Sequence, residues 1–264
     1  MIDIGINLTS SQFSSDARVV LSRAFEAGVT GIILTGTSLE ASIRSKDFAH
    51  EDVKRLAFTA GVHPHYANQW TPSSPHLFGK LWDDKQCVAV GECGLDYFRL
   101  LSSKAQQRLA FQAQLDAALS YGVPAFLHCR DAFNDFHAII ASFVAQGGTG
   151  IVHCFTGTVQ EAIAYQDLGL HLGVTGWVTE KERGAALREA VKFVDADKLH
   201  LETDAPYLVP RNRPESAKGR HRNEPAYLEW VAREVASLRQ VSVSTLKQQC
   251  EANSRKLFAL NSVD

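Results

Sequence analysis

The stretch VPAFLHCRD, Val123 to Asp131, runs from apolar, β-favouring residues straight into His128, Arg130 and Asp131. Before it lies SKAQQRLAFQAQLDAAL, where Leu109, Gln112, Leu115 and Leu119 fall at helical spacing. A helix followed by a short buried strand ending in polar groups is half of a βαβ unit. The same unit recurs outward in both directions. Strand candidates are IDIGIN, TGIILTG, LAFTAGVHP, CVAVGEC, VPAFLHC, GIVHCF, LHLGVTG and KLHLETD, with helix-like stretches between them. Strand–helix alternation repeated about eight times predicts a parallel sheet and an α/β-class (β/α)₈ TIM barrel. AYLEWVAREVASL and VSTLKQQCEANSRKLF read as two closing helices, and residues 1–264 read as a single domain.

Composition agrees with an ordinary globular chain. It has 264 residues, 45% hydrophobic and 21% charged, enough for a large core. No apolar run reaches the length of a membrane span, and Asp3 and Asn7 interrupt any secretion-signal pattern at the start. The five cysteines show no Cys-x-x-Cys spacing and read as reduced thiols, so the expected compartment is the cytoplasm. A net charge of -2 exerts no global pull on nucleic acid, so polyanion binding requires a local patch.

In a barrel of this kind the active site sits at the C-terminal strand ends. There the sequence places His63 and His65 (GVHPH), Glu92 and Asp96 (GECGLD), His128, Arg130 and Asp131 (LHCRD), His153 (VHCF), and Glu202 and Asp204 (LETDAP). Taken singly, such a residue is an ordinary loop residue or a helix cap, and Asp131 and Asn223 read equally well as caps. Five strand ends carrying ligand and acid–base types toward one mouth point instead to a metal site. Glu92 suits a bridging carboxylate, His128 and His153 suit inner ligands, and Asp204 suits a ligand or a proton acceptor. Cys93, Cys129 and Cys154 each neighbour a candidate ligand, so strand alternation predicts that they point outward against the helices.

GVHPH, VAVGECGLDY, VPAFLHCRDA, VHCFTGT, TGWV and LHLETDAPYLVPR…RNEP, in that order, resemble the TatD family of metal-dependent nucleases, amidohydrolase-like TIM barrels. The resemblance runs nearly end to end. It implies metal-dependent phosphodiester hydrolysis, 3′→5′ exonuclease action on single-stranded DNA or RNA ends, and a role in DNA repair. By motif, Glu92, His128 and His153 match the family's metal ligands and Asp204 its strand-eight aspartate. His63 and His65 match the histidines that face the substrate phosphate. Many members begin with Asp-x-His-x-His, and aligned on Asp3 those histidines are Gly5 and Asn7 here. An oxygen-rich remainder of Asp3, Asn7, Glu92 and Asp204 favours Mg²⁺, with Mn²⁺ or Zn²⁺ as alternatives and a weakly held second ion.

The loop after strand eight carries Arg211, Arg213, Lys218, Arg220, His221 and Arg222, opposed by Glu215. Beside a phosphate-cleaving mouth these arginines, with Asn223, read as a phosphate clamp. Tyr97, Phe98 and Trp177 are candidates for base stacking, or equally for packing. Two rivals stand beside the nuclease: a hydrolase of a small ester, amide or aminoacyl ester on the same barrel, and a non-catalytic scaffold. No obligate protein partner is evident and a monomer is expected.

Overall fold

The computed structural model describes residues 1–214 and 222–260. Eight parallel strands follow chain order in one sheet: β1 Ile2–Ile6, β2 Gly31–Leu34, β3 Leu56–Ala60, β4 Cys87–Asp96, β5 Ala125–Arg130, β6 Gly150–Val152, β7 His171–Val174 and β8 Leu199–Leu201. Parallel neighbours need a crossover, and helices supply it. These are α1 Ala17–Glu26, α2 Leu39–Ala49, α3 Ser74–Trp82, α4 Lys104–Tyr121, α5 Phe133–Ala145, α6 Val159–Asp167 and α7 Ala185–Ala190, with α8 Leu228–Arg239 and α9 Val243–Leu257 closing the chain. Helix starts are written locally. Ser38 accepts from the Ala41 N–H, and Ser103 with Gln106 and Thr158 with Glu161 form reciprocal caps. No described helix is long and apolar enough to cross a membrane.

β1 and the segment after β8 close the barrel by a mixed seam. Asp204 N–H donates to Gly5 O at 2.9 Å and Asn7 N–H to Ala205 O at 2.7 Å. One step earlier along the seam the Asp3 carboxyl group takes the place of a backbone acceptor, receiving Thr203 N–H at 2.9 Å and Thr203 Oγ1–H at 2.6 Å. Ile2, Ile4, Ile33, Ala57, Ala89, Phe126, Ile151 and Phe258 fill the barrel interior. Ile6 instead joins the larger layer beneath the helices, because the β1–β2 register shifts between Asp3 and Ile6. Simple alternation along IDIGI therefore fails halfway, and Gly5 is turned toward the interior.

The helical reading of α4 holds, but its buried face differs from the leucine pattern. Leu109 is 63% exposed, while Gln107 and Gln114 are buried. These two amides bracket strand-end backbone: Gln107 exchanges hydrogen bonds with Asp96 N–H and O, and Gln114 with Val62 N–H and O. A buried backbone edge needs such partners, so two polar side chains win core positions.

Candidate metal centre and active site

β4 supplies the central carboxylate. Its register against β5 shifts between Gly91 and Cys93, and Glu92 N–H donates to Gly36 O at 2.7 Å rather than to the ladder. A shift of this kind re-aims a side chain, and Glu92, 4% exposed, stands among three imidazoles. Its Oε1 lies 2.9 Å from His128 Nδ1, 3.1 Å from His153 Nε2 and 3.2 Å from His63 Nε2. Burial opposes ionisation of Glu92, but the facing imidazoles of His63 and His153 and the hydrogen bonds from His128 and His153 hold it well below the usual carboxylate range.

Each imidazole has its own second partner. His63 begins the 3₁₀ turn Pro64–Gln69, and its Nδ1 accepts the His65 N–H at 3.0 Å. Burial pushes His63 down to about 4, so it is neutral at pH 7 with its one proton on Nε2. That tautomer makes His63 a donor toward an anionic oxygen, although His63, Glu92 and His128 offer ligand atoms within 4.8 Å of one another. His153 is held the other way round. Its Nδ1 lies 2.9 Å from Glu202 Oε2, which leaves Nε2 facing the centre. Burial disfavours its charge, yet Glu202 and Glu92 outweigh burial and raise His153 well above its ordinary value.

His128 Nε2 is buried without a hydrogen-bond partner, 3.5 Å from Asp96 Oδ2. An orphaned imidazole nitrogen among convergent, buried N and O donors fits a divalent cation. Asp96 is already engaged, with Oδ2 at 2.7 Å from His65 Nε2 and Oδ1 receiving the N–H groups of Phe98 and Arg99. Burial opposes its charge, but His128 and His65 and those N–H donors hold it ionised, below the usual range.

Asp204 faces the centre from the closing seam, near enough for His153, Glu92 and Glu202 to act on it. Its Oδ1 accepts from Asn7 Nδ2 at 2.8 Å, and burial first, then the carboxylates, pushes it up to about 7. Asn7 thus stands at the site as a hydrogen-bond donor to Asp204. Asp3 does not. It is fully buried, its oxygens are taken by Thr203, and burial raises it to about 8, which makes it a brace of the seam rather than a ligand.

Glu202, absent from the expected ligand set, is fully buried beside His153. Two missing side chains make room for it. A Cβ on Gly5 would stand 2.6 Å from Glu202 Oε2, and one on Gly173 2.5 Å from Oε1. Where many family members carry a first-strand histidine, this chain packs a carboxylate. The sequence signal was the pairing of Gly5 with Glu202, visible only once β1 and β8 are neighbours. Phe126 floors the site, its ring stacked on His153 at 4.7 Å between centroids.

Other expectations are corrected. β6 ends at Val152, so strand alternation no longer governs Cys154, whose φ is 47°. Its N–H donates to Glu202 Oε1, which ties its backbone to the site, and its thiol is raised by burial and then by Asp204 and Glu202. Cys93 and Cys129 do pack into the outer layer. Of the arginine loop, Arg213 is buried and lies over Tyr227, with Nε on Pro210 O. Arg222 forms a bidentate pair with Asp16 and also reaches Glu224. Asn223 is buried and donates to Thr203 O at 2.9 Å, neither a cap nor a phosphate ligand. Arg211 stays exposed but pairs with Glu180 at 2.7 Å. Glu215, Lys218, Arg220 and His221 lie outside the described residues. Tyr97 is tied to Asp135, Phe98 is exposed beneath Arg130, and Trp177 is half-buried beneath Arg183.

The family model described as TatD related DNase matches residues 2–259. The chain is 46% identical over 261 residues to a protein of Pantoea ananatis named 3′-5′ ssDNA/RNA exonuclease TatD, covering 98% of this chain and 100% of that one. It is 44% identical over 258 residues to the protein of the same name in Salmonella typhimurium, covering 98% of each. Among solved structures it is similar to a TatD family hydrolase from Entamoeba histolytica, with a TM-score of 0.87 and 27% identity over 99% of this chain and 98% of the other. A TatD homolog from Escherichia coli k12 superposes with a TM-score of 0.87 and 26% identity over the same shares. With its eight parallel strands and its histidine–carboxylate mouth, the chain belongs to the TatD related DNase family.

Proposed function

We propose that this chain is a metal-dependent exonuclease that shortens single-stranded DNA or RNA from the 3′ end, with residues 1–264 acting as one hydrolase domain. The observation that carries it is the convergence of His63, His128 and His153 on one Glu92 oxygen at the barrel mouth, within 3.2 Å. Glu92, His128, His153 and Asp204 are the residues that would hold the ion. When bound, a divalent cation supplies Lewis acidity to a phosphoryl oxygen and lowers the pKa of an attacking water. Mg²⁺ suits the oxygen donors, and Mn²⁺ suits the imidazoles as well.

The protein's own groups set the rest. Asp204, oriented by Asn7, accepts a proton from the water, and its position near neutrality matches that task. His63 donates from Nε2 to the phosphate, where negative charge builds as the bond breaks. His65, anchored on Asp96, stands beside it with ring centroids 4.2 Å apart. Glu202 locks the His153 ring. Five unpaired cysteines suit a reducing cytoplasm, and trimming of damaged 3′ ends is the repair role we assign to a monomer.

The test is a time course on 5′- and 3′-labelled oligonucleotides with Mg²⁺, Mn²⁺ and Zn²⁺ in turn, beside small esters. Early release of 3′-labelled mononucleotide with a shortening 5′-labelled ladder is expected. Cleavage of esters alone would assign the barrel to its small-molecule rival.

A further inference from the structure

Beside the histidine–carboxylate cluster, over the ends of β1, β2 and β3, lies a cleft of about 610 Å³. It falls within the size of small-ligand sites, about 300–1,000 Å³. Thr9, Ser10, Thr37, Ser38 and Gln69 give it a polar lining, and Tyr66 and Tyr207 also line it. Both tyrosines are exposed, at 44% and 51%. They are the immediate neighbours of the active centre: Tyr66 N–H donates to His63 O at 2.8 Å, and Tyr207 N–H to Asp204 O at 3.1 Å. Asn7 belongs both to the cleft and to Asp204, so cleft and centre are continuous.

Charge points the same way. Most described arginines are engaged with carboxylates or backbone carbonyls, whereas Arg44, Arg99 and Arg130 have no carboxylate partner among the described residues. All three belong to the mouth. Arg44 lines the cleft, Arg99 follows β4 with its N–H on Asp96 Oδ1 at 2.8 Å, and Arg130 ends β5. Glu40 is the one carboxylate of the lining. Two exposed aromatic faces, a ring of hydroxyls and amides, and unpaired guanidinium groups match an unpaired base, a sugar and the flanking phosphates.

We propose that this cleft seats the nucleotide beside the bond to be cut, its base stacked on Tyr66 and Tyr207 and its phosphates met by Arg44 and Arg99. It rests on the nuclease reading and adds the reason for a single-stranded substrate: a base within a duplex has no free face for the tyrosines. The phosphate clamp thus lies on the β1–β4 side of the mouth rather than on the described part of the arginine loop.

The test uses Tyr66→Ala and Tyr207→Ala, each with its Phe counterpart, and a 5′-labelled oligothymidylate beside the same strand with abasic residues at its last two 3′ positions. Stacking predicts a KM for the base-bearing strand raised roughly five- to 150-fold by Ala and unchanged by Phe. The abasic strand should show no such difference. Arg44→Ala should in addition flatten the slope of log KM against log salt by about 0.7. Equal KM changes on both strands, or none, would overturn the stacking seat while leaving the nuclease reading intact. An unchanged salt slope would remove Arg44 from it. If the unmodified protein cleaved neither strand, the nuclease reading would fall and this inference with it.

Discussion

Gly5→Ala adds a single methyl group at the point where the structure leaves no space. The new Cβ would stand 2.6 Å from Glu202 Oε2, 3.2 Å from Phe126 Cζ and 3.4 Å from His153 Nδ1. A long side chain on the surface would swing away, but Glu202 is fully buried. Its Oε1 holds the Cys154 N–H, its Oε2 lies 2.9 Å from His153 Nδ1, and Gly173 already presses from the opposite side. Overpacking a core costs about 1–3 kcal/mol. Weakening a charge-assisted hydrogen bond adds roughly 1.5–3 kcal/mol at most. Replacing glycine in an extended strand returns about 0.4–1 kcal/mol through the unfolded chain. A net loss of about 2–4 kcal/mol follows, read as a fall in the urea midpoint at constant slope. Because Glu202 orients His153, metal affinity should fall about 10- to 100-fold as well. The decisive comparison places Gly5→Ala in a Glu202→Ala background, where the clash is gone and the added methyl should be nearly neutral. A coupling energy of about 2–4 kcal/mol is expected. Strictly additive effects, or a Gly5→Ala protein as stable and active as the parent, would refute the account of Glu202 as the group that occupies the first-strand position.

Three further outcomes are expected. Asp204→Asn should lower kcat by about 10²–10⁴ with the melting temperature held or raised, since it removes a proton acceptor and a buried carboxylate together; undiminished turnover on labelled oligonucleotide would exclude Asp204 as the base. Burial holds Asp3 at about 8 against 3.8, so between those pH values the folded state keeps a proton that the unfolded chain has lost. That contribution is complete below pH 3.8 and is lost as pH rises through 8, at a limiting slope of about 1.4 kcal/mol per pH unit. Urea titrations from pH 4 to 8 should show the parent losing stability relative to Asp3→Asn as pH rises, and parallel curves would contradict it. Chelator treatment should abolish cleavage and Mg²⁺ or Mn²⁺ restore it, with a stabilisation of about 2.7 kcal/mol at 100 times Kd; a melting temperature indifferent to divalent ions would argue against the metal centre.

What the sequence exposed and what it hid divide along a physical line. Strand–helix alternation is local, so the eight strands and the two closing helices were legible, and so was the clustering of His63, His65, Glu92, His128, His153 and Asp204 at one mouth. Residues whose role depends on a partner across the barrel were not. Glu202 becomes intelligible only when Gly5 and Gly173 flank it, and Asp3 only when Thr203 lies across the closing seam. Gln107 and Gln114 carry no signal of burial in the sequence, because a polar side chain gives no sign that it serves buried backbone. The arginines of the last loop were misleading for the converse reason. A run of positive charge reads as a phosphate clamp until Asp16, Glu224 and Glu180 are seen to hold Arg222 and Arg211 in place. A guanidinium engaged in two charged hydrogen bonds must give them up before it can hold phosphate, whereas Arg44 and Arg99 have no carboxylate to release among the described residues. Position beside the mouth and absence of a competing partner are both required of a substrate-binding cation. Only the first of these is written in one dimension.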